Sequence, residues 1–427
     1  MRGQRNYSAA QEPEQGPRAI AAAAAPLVWK FGGTSVADHG RLRAVAERMV
    51  AAQRSGRGVV AVLSAMGHTT DELVAMADQM TARPPLRELD ALLSVGESIS
   101  CALASMAVAE LGSHAVSLTG PQAGVHTDDS HGNARLREIR PQRIHDALAE
   151  GSIVLVTGFQ GVGPDGDVTT LGRGGSDASA VALAAALGAT ECEIFTDVPA
   201  VYTADPRVVP DARRLSTIRP EEMLEMAEAG AAVLQPRSVE LAVAHGVDIH
   251  LRSSFSTEEG TRIGRGAGTF ETDGGGDVTG IAHRRHESLY TVKDIDGPTL
   301  ALTLAERGIA LGAVLPDTPG LRFTAPGTAT AEITAALDAA GASVRIDEEL
   351  GSVSVISSGI ARKPDVTVRT LAALRDAGIE PRLVQTTPAR ISVLVDTALL
   401  DDAVRLLHQT FLLATPDSQA AHPRAIA

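Results

Sequence analysis

Cysteine is almost absent from this chain of 427 residues. The two that occur, Cys101 and Cys192, lie far apart and fit no metal-ligand spacing. Isolated cysteines support neither a disulfide framework nor a zinc site. We therefore interpret both as buried, reduced thiols of a cytoplasmic protein, and we predict no metal-ligand cluster.

Aromatic residues and positive charge are also scarce. Aromatics make up 3% of the chain, so the core must consist of Ala, Val, Leu and Ile, which is typical of alternating β/α layers. The formal net charge of −14 gives no support to a nucleic-acid-binding surface. Local basic groups can still hold an anionic substrate in a cleft.

Uninterrupted apolar runs of about 20 residues are missing, so we expect no membrane span. The run Ala19–Val28 follows basic residues and superficially imitates a signal peptide. It leads, however, straight into Trp29–Gly33, which belongs to a motif interpreted below as functional. We therefore predict that residues 1–25 form a disordered extension.

The length of the chain predicts more than one domain. From Leu27 to Ser254, short apolar segments alternate with helical patterns, one of them a single long helix over Leu86–Leu111. This alternation predicts an α/β catalytic domain over residues 26–263, with a mainly parallel sheet covered by helices on both faces. The predicted strands are Leu27–Phe31, Val59–Leu63, Ala115–Leu118, Ile153–Val156, Glu193–Thr196 and Asp248–Leu251.

A glycine-rich segment at residues 264–278 reads as a linker. Two weakly similar βαββαβ patterns follow it. They predict tandem ferredoxin-like units at residues 279–345 and 346–415, and a disordered tail at 416–427.

Two glycine-containing motifs suggest anion binding. In Lys30–Ser35 a basic residue at a strand end precedes two glycines, so an ammonium group and backbone N–H groups can face one phosphate. A Gly-Gly turn with an exposed lysine would look the same. In Thr169–Asp177, Arg173 stands among three glycines at the start of an Ala-rich helix and can grip a carboxylate. Capping by Ser176 or Asp177 is the structural alternative, but it does not explain the arginine.

Other polar positions follow predicted strands or interrupt apolar helices. Ser64–Thr70 offers hydroxyl groups at a strand end, and Thr196–Arg207 offers an aspartate and a tyrosine for a ribose and a base. A structural Asp-Pro loop is the equally favoured alternative for Thr196–Arg207. Glu97, in an apolar helix, is either paired structurally or receives an ammonium group. Gly161–Gly166 matches the dinucleotide pattern G-x-G-x-x-G, but no helix start follows it, so we interpret it as a hairpin tip.

Together these segments resemble the aspartate kinases of the amino-acid kinase superfamily. The tail resembles, more loosely, the family's paired ACT domains, which bind lysine or threonine as feedback inhibitors. The resemblance implies the amino-acid kinase fold, a cytoplasmic homodimer or higher homo-oligomer joined through the ACT units, and no membrane or nucleic-acid partner. The segments that carry it are Lys30–Ser35, Gly96-Glu97, Gly158-Phe159, Thr169–Asp177 and Thr196–Arg207.

The implied reaction is aspartate plus ATP giving 4-phosphoaspartate plus ADP, with Mg²⁺, as the first step of aspartate-family amino-acid biosynthesis. By resemblance, Lys30 stabilises the moving phosphoryl group and Asp177 orients Lys30. Arg173 would hold the α-carboxylate of aspartate and Glu97 its ammonium group. The attacking carboxylate is ionised at neutral pH, so no general base is required.

The remaining site residues implied by the resemblance surround these four. Those lining the aspartate site are Ser64, Thr70, Phe159 and Ser176. Those holding the nucleotide, besides Lys30, are Gly32, Gly33, Thr196, Asp197, Tyr202, Asp205 and Arg207, the two glycines through backbone donors to the phosphates.

Three departures from the family pattern concern activity and control. Ala232 stands where relatives carry a lysine that contacts ATP phosphates, so ATP binding or turnover is expected to be weaker. Pro316-Asp317 and Thr387-Pro388 replace Gln-Asn and Ser-Glu near the effector sites. Because partners of an amino-acid ligand are lost there, we predict altered feedback.

Two alternatives remain at this stage. Another kinase of the superfamily, acting on glutamate, acetylglutamate or carbamate, is disfavoured by the Glu97 and Arg173 pair, which suits a free amino acid. A catalytically weakened, kinase-like sensor or regulatory subunit is favoured by Ala232 and disfavoured by the intact Lys30, Arg173 and Asp177.

Overall fold

The computed structural model describes residues 25–231, 233–264, 278–309, 311–312, 314–317 and 320–412. The predicted extension before Ala25, nearly all of the predicted linker, Ala232 and the predicted tail lie outside the described residues. Within the described part, Cys101 and Cys192 are buried and unpaired, as predicted.

An eight-stranded sheet forms the centre of the N-terminal region, with elements numbered in chain order. Its strands are β1 (Leu27–Phe31), β2 (Val59–Leu63), β3 (Ala115–Leu118), β6 (Ile153–Thr157), β9 (Glu191–Thr196), β10 (Thr217–Ile218), β11 (Asp248–Ser253) and β12 (Thr261–Ile263). Their order is β10-β12-β11-β9-β1-β2-β6-β3, and every pair is parallel except β11 with β12. The predicted parallel sheet and its six strands are confirmed.

Helices cover both faces of this sheet, because its central strands are apolar on both sides. In β1, Val28 packs into one core with Val181 and Leu183, whereas Phe31 packs into the opposite core with Met49. The helices are α1 (His39–Arg54), α2 (Thr69–Met80), α3 (Leu86–Leu93), α4 (Val95–Glu110), α5 (Gln142–Ala149), α6 (Gly175–Ala186), α7 (Pro220–Glu228) and α8 (Pro236–His245). Such two-sided burial accounts for the continuous apolar strands that the sequence shows.

The single helix predicted over Leu86–Leu111 is two helices, α3 and α4, which meet at Ser94. By length and mean hydropathy, Leu86–Glu110 would pass as a membrane span, which a search for uninterrupted apolar runs missed. In the fold, α4 packs Cys101, Ala104 and Val108 into the core beside the sheet. One face of α4 therefore belongs to the core, whereas Val95, Ile99 and Met106 on the same helix are exposed.

A small second sheet lies beside the first. Its strands β4 (Val125–Thr127), β5 (Leu136–Ile139), β7 (Gln160–Val162) and β8 (Val168–Thr170) are ordered β5-β4-β7-β8. β7 and β8 are antiparallel and joined by a tight turn in which Gly163 donates its N–H to Asp167. The predicted hairpin tip at Gly161–Gly166 is confirmed.

The C-terminal region is one six-stranded antiparallel sheet with helices packed on it. The strands are β13 (Gly280–Lys293), β14 (Val314–Asp317), β15 (Gly320–Pro326), β16 (Ser343–Ile356), β17 (Leu383–Thr386) and β18 (Arg390–Asp396). The helices are α9 (Gly297–Ala305), α10 (Thr330–Ala339), α11 (Pro364–Asp376) and α12 (Leu400–Leu412). The strand order is β14-β15-β13-β16-β18-β17.

Both predicted units share the two long strands of this sheet. β13 and β16 pair along their length, so Gly280–Arg284 lies opposite Ser352–Ile356, while Glu287–Lys293 lies opposite Ser343–Leu350. The start of β13 therefore belongs to the sheet of the second unit. The elements of the first unit are inserted in the chain between this strand segment and the remaining elements of the second unit. The boundary predicted between residues 345 and 346 falls inside β16, because a sequence pattern does not show which distant strand completes a sheet.

Candidate active site

The carboxyl ends of four neighbouring strands, β9, β1, β2 and β6, meet at one edge of the large sheet. The segments that follow them are the predicted motifs at Thr196, Lys30–Ser35, Ser64 and Gly158-Phe159. Because the four strands are neighbours in the sheet, their ends bring together groups that are up to about 170 residues apart in the sequence, as expected for ligand sites of α/β sheets.

Lys30 and Asp177 are in direct contact at this edge. The Nζ of Lys30 lies 2.6 Å from Oδ1 of Asp177, and the two side chains are 11% and 10% exposed. Asp177 stands in the first turn of α6, and the residue that precedes this helix, Gly174, has φ +69° and no side-chain cap. Neither Ser176 nor Asp177 is therefore the cap of this helix, and the carboxylate of Asp177 contacts the lysine instead.

The two glycines after Lys30 allow a close approach of three backbone segments. A Cβ on Gly33 would lie 3.0 Å from the carbonyl oxygen of Ala65 and 3.2 Å from that of Gly67. Gly32, however, donates its N–H to the carbonyl of Phe195 at 3.1 Å. The N–H group of Gly32 predicted to bind phosphate is thus already bonded to the protein, while the role of Gly33 stays a prediction.

Phe159 and Ser176, both predicted at the aspartate site, come together at the start of α6. A Cβ on the adjacent Gly158 would lie 2.6 Å from Oγ of Ser176. Phe159 adopts φ +71°, which is rare for a residue with a side chain, and donates its N–H to Oγ of Ser179 at 3.2 Å. The unusual backbone is consistent with a functional position.

Glu97 approaches the same edge from α4 and is 3% exposed. Its Oε1 accepts the N–H of Ala65, 3.2 Å away, while its buried Oε2 has no hydrogen-bond partner among the described residues. Burial raises the pKa of the Glu97 carboxyl to about 7. No cation of the described residues forms an ion pair with it, and its second oxygen is buried without a protein partner.

The other predicted aspartate-site residues border this region. Ser64, at the end of β2, and Thr70, in the first turn of α2, are half-buried. Arg173 is exposed at the entrance to α6 and makes no hydrogen bond or ion pair within the described part of the chain. A guanidinium without a protein partner is able to bind the carboxylate of a ligand.

The five predicted nucleotide residues outside the glycine motif line one pocket of about 570 Å³. They are Thr196, Asp197, Tyr202, Asp205 and Arg207. Asp205 and Arg207 form an ion pair at 2.7 Å, and the hydrogen bonds from Arg207 lower the pKa of the Asp205 carboxyl. The pocket is also lined by Gly230, Ala231 and Val233, whereas Ala232 lies outside the described residues.

One wall of this pocket was not predicted. Ile281, Ala282 and His283 of β13 belong to the C-terminal region, yet they line this pocket. No local pattern could have indicated this, because the contact joins segments about 80 residues apart. The C-terminal sheet is therefore a structural part of the pocket.

Asp90 is also a residue that was not predicted from the sequence. It is fully buried in α3, accepts from Oγ1 of Thr170 at 2.5 Å and from the N–H of Gly132 at 3.1 Å, and lies 2.7 Å from Nδ1 of His131. These bonds tie the end of β8, just before Arg173, to the adjacent loop. An acid in an apolar helix was the signal that drew attention to Glu97, and it applied equally to Asp90.

Comparisons with known proteins agree with this geometry. The model of the amino acid kinase family matches residues 26–253, and that of an ACT domain matches residues 353–411. The aspartokinases of Mycolicibacterium smegmatis and Corynebacterium glutamicum are 46% and 44% identical over 416 residues, which cover 93% of this chain and 98% of each relative. The structure of E. coli aspartokinase III in complex with aspartate and ADP superposes with a TM-score of 0.76, over 90% of this chain and 99% of that one, at 24% identity, which shows the fold.

Proposed function

The chain belongs to the aspartokinases of the amino acid kinase family and phosphorylates aspartate with ATP, and we propose that Lys30, Glu97 and Arg173 form the centre of this reaction. The observation that carries the assignment is the buried Lys30–Asp177 contact at 2.6 Å, which fixes a cation at the edge where the other site residues converge. Nothing in the fold or the comparisons favours a regulatory subunit without activity.

ATP would occupy the pocket of about 570 Å³ that Tyr202 and Asp205 line, with its phosphates directed toward Gly33 and Lys30. Phosphoryl transfer requires charge stabilisation and in-line positioning rather than a covalent intermediate. The Lys30 ammonium supplies the charge, and Asp177 keeps it from rotating away. Because the lysine is held before the reaction, little reorganisation is needed in the transition state.

Aspartate would bind between α4 and the entrance of α6. The buried, unpaired Oε2 of Glu97 would accept its ammonium group, and Arg173 would pair with its α-carboxylate. The side-chain carboxylate is then free to attack the γ-phosphoryl group without a base, since it is already ionised. Two charges of opposite sign on the site select a free amino acid over its N-acylated form.

Mg²⁺ is the metal that we propose for this reaction. The described residues hold no group of three or more His, Cys, Asp or Glu that would bind a metal by itself. Mg²⁺ does not require such a group, because it keeps several waters and is usually held through substrate phosphates with one or two carboxylates. When bound, it would neutralise charge on the phosphates, and the protein's own cation there is Lys30.

Altered feedback control is a further part of the proposal. Pro316 lies in the short exposed strand β14 and lacks an N–H group, and Thr387 directs its hydroxyl to Glu225 of α7, at 3.4 Å. Neither position offers an amino-acid ligand the amide or carboxylate partner found in relatives. We expect lysine and threonine, added separately and together at millimolar concentration, to leave most of the activity, and strong inhibition would contradict this part of the proposal.

We also propose that the product enters aspartate-family amino-acid biosynthesis, including lysine, threonine and methionine, and that the enzyme is a cytoplasmic homo-oligomer joined through its C-terminal sheets. Exposed sheet edges such as β14 are suited to pairing between copies. Light scattering of the purified protein tests the oligomer.

The central test compares the wild type with Lys30→Met in a hydroxamate or ADP-release assay with aspartate, glutamate and acetylglutamate. We expect the wild type to use aspartate in preference to both other acids. Lys30→Met should lose at least about 100-fold in kcat. Lys293→Met, which changes an exposed lysine of β13, is the matched control and should retain activity. Wild-type kcat in the Lys30 variant would refute the proposed centre.

A further inference from the structure

The loop between β9 and β10 has two faces that serve different parts of the molecule. Tyr202, Asp205 and Arg207 line the nucleotide pocket on one face. Residues from the same loop are buried on the other face, within the apolar core of the C-terminal sheet and its helices α11 and α12. Those core residues are Val208 and Val209, packed in one cluster with Val353, Leu374, Leu400, Val404 and Leu407, and Ala204 belongs both to this cluster and to the pocket lining.

Two side chains of α12 bind the loop directly. His408, which is fully buried, places Nε2 3.0 Å from Oγ1 of Thr203, and Thr203 stands between the pocket-lining Tyr202 and Ala204. Arg405 donates from Nε to the carbonyl of Val208 at 3.2 Å. Helix α12 thus contacts both ends of the segment that carries Asp205.

Thr203 is held from three sides. Its hydroxyl oxygen accepts the N–H of Arg213 at 2.9 Å, and its carbonyl accepts the N–H of Ile281 at 2.7 Å. The contact with His408 is the side-chain bond that comes from α12. Because a backbone flanked by such bonds has little freedom, the direction of the two neighbouring side chains depends on this one threonine.

The imidazole of His408 has few alternatives to this contact. Its Nδ1 is buried and has no hydrogen-bond partner among the described residues. Burial lowers the pKa of His408; the nearby charges of Arg213 and Asp211 act in opposite directions. A neutral, buried imidazole with a single polar contact favours keeping that contact, since losing it would leave both ring nitrogens unpaired.

We propose that His408 is a positioning residue for nucleotide binding, which acts through Thr203 on the pocket-lining side of the loop. The inference rests on the proposed nucleotide site and adds that α12 sets the shape of that site. It concerns the affinity for ATP, because the loop lies beside the nucleotide and apart from Glu97 and Arg173.

The test compares His408→Phe, which keeps the ring and removes the hydrogen bond, with His408→Gln, whose amide can restore a polar contact. In the full chain we expect His408→Phe to raise KM for ATP about three- to tenfold, with KM for aspartate and kcat changed less than about twofold. His408→Gln should bring KM for ATP most of the way back to the wild-type value. Thr203→Val removes the other partner, together with the acceptor of the Arg213 N–H, without adding bulk, so it should raise KM for ATP at least as much and serves if the Phe variant does not fold.

Leu374→Ala is the matched control for a purely structural effect. Leu374 lies in the same apolar cluster on α11, and its truncation leaves a cavity without touching a hydrogen bond. We expect it to lower the unfolding temperature while KM for ATP stays unchanged. If Leu374→Ala raises KM for ATP as much as His408→Phe does, at an equal loss of unfolding temperature, the proposal is overturned. An unchanged KM for ATP in both His408→Phe and Thr203→Val would also overturn it.

Asp205→Ala separates this inference from the proposed nucleotide site. If Asp205→Ala raises KM for ATP and His408→Phe does not, the nucleotide site stands and the role of His408 is refuted. If Asp205→Ala and Tyr202→Ala both leave KM for ATP unchanged, the nucleotide site itself is misplaced, and the inference falls with it.

Discussion

A single hydrogen bond joins Glu97 to the backbone of Ala65, and it uses only one of the two oxygens of the buried Glu97 carboxylate. Oε1 of Glu97 accepts the N–H of Ala65 at 3.2 Å, while Oε2 is buried without a partner among the described residues. Desolvation raises the pKa of this carboxyl to about 7. The group that we assign to the ammonium of aspartate therefore changes charge close to neutral pH.

The first prediction concerns substrate affinity. Because only the ionised form of Glu97 attracts an ammonium group, KM for aspartate should rise as pH falls below 7, by about tenfold per unit well below the pKa. KM for ATP should change much less over the same range. Steady-state kinetics between pH 5.5 and 8.5 measures both constants.

The matched variant for this prediction is Glu97→Gln, which keeps the shape and removes the titration. Its KM for aspartate should be high at every pH and nearly flat. A Gln variant with the same pH profile as the wild type would assign the titration to another group.

The second prediction is the stability counterpart of the first. The folded-state pKa of Glu97 lies above its unfolded value of 4.5, so its contribution to stability is fully present below pH 4.5 and is lost as pH rises through 7. Relative to Glu97→Gln, the substrate-free wild type should lose on the order of 3 kcal/mol between pH 4.5 and 8. Thermal unfolding of both proteins at several pH values measures this difference, and a constant difference would show that Glu97 is not buried as an acid.

The third prediction concerns Asp90, which holds Thr170, Gly132 and His131 together behind the aspartate site. Asp90→Asn replaces one acceptor by a donor, so the N–H of Gly132 loses one of its two acceptor oxygens, His131 can only accept at Nδ1, and the segment that leads to Arg173 loosens. We expect KM for aspartate to rise about tenfold, with a smaller change in KM for ATP. Steady-state kinetics of the variant measures both constants.

Asp129→Asn makes the same chemical change at an exposed position two residues before His131 and serves as its control. Equal kinetic constants in the two variants would exclude a positioning role for Asp90.

The sequence predicted those features that depend on neighbouring residues. The apolar strands, the hairpin at Gly161–Gly166 and the glycine-flanked motifs were recognisable because their periodicity and turn residues are local. The bond from Gly32 to Phe195 and the wall formed by Ile281–His283 depend instead on which distant segments pair, and no single-sequence pattern encodes that choice. The split between α3 and α4 was missed for a related reason, since Ser94 is a weak local signal whose effect is decided by packing.

The last prediction tests how closely the strand end after β6 must approach α6. A Cβ on Gly158 would lie 2.6 Å from Oγ and 2.7 Å from Cβ of Ser176, so Gly158→Ala must displace the first turn of the helix. Asp177 stands in that turn, and its displacement would lengthen the contact with Lys30. We expect kcat to fall at least about tenfold and stability to fall by about 1–3 kcal/mol.

Gly58→Ala is the comparison, because its added Cβ would be 3.4 Å from Leu148, an ordinary contact. That variant should keep both kcat and stability near the wild-type values. Full activity in Gly158→Ala would mean that the helix can shift without disturbing Lys30, and the Lys30–Asp177 contact would then not be what sets the rate.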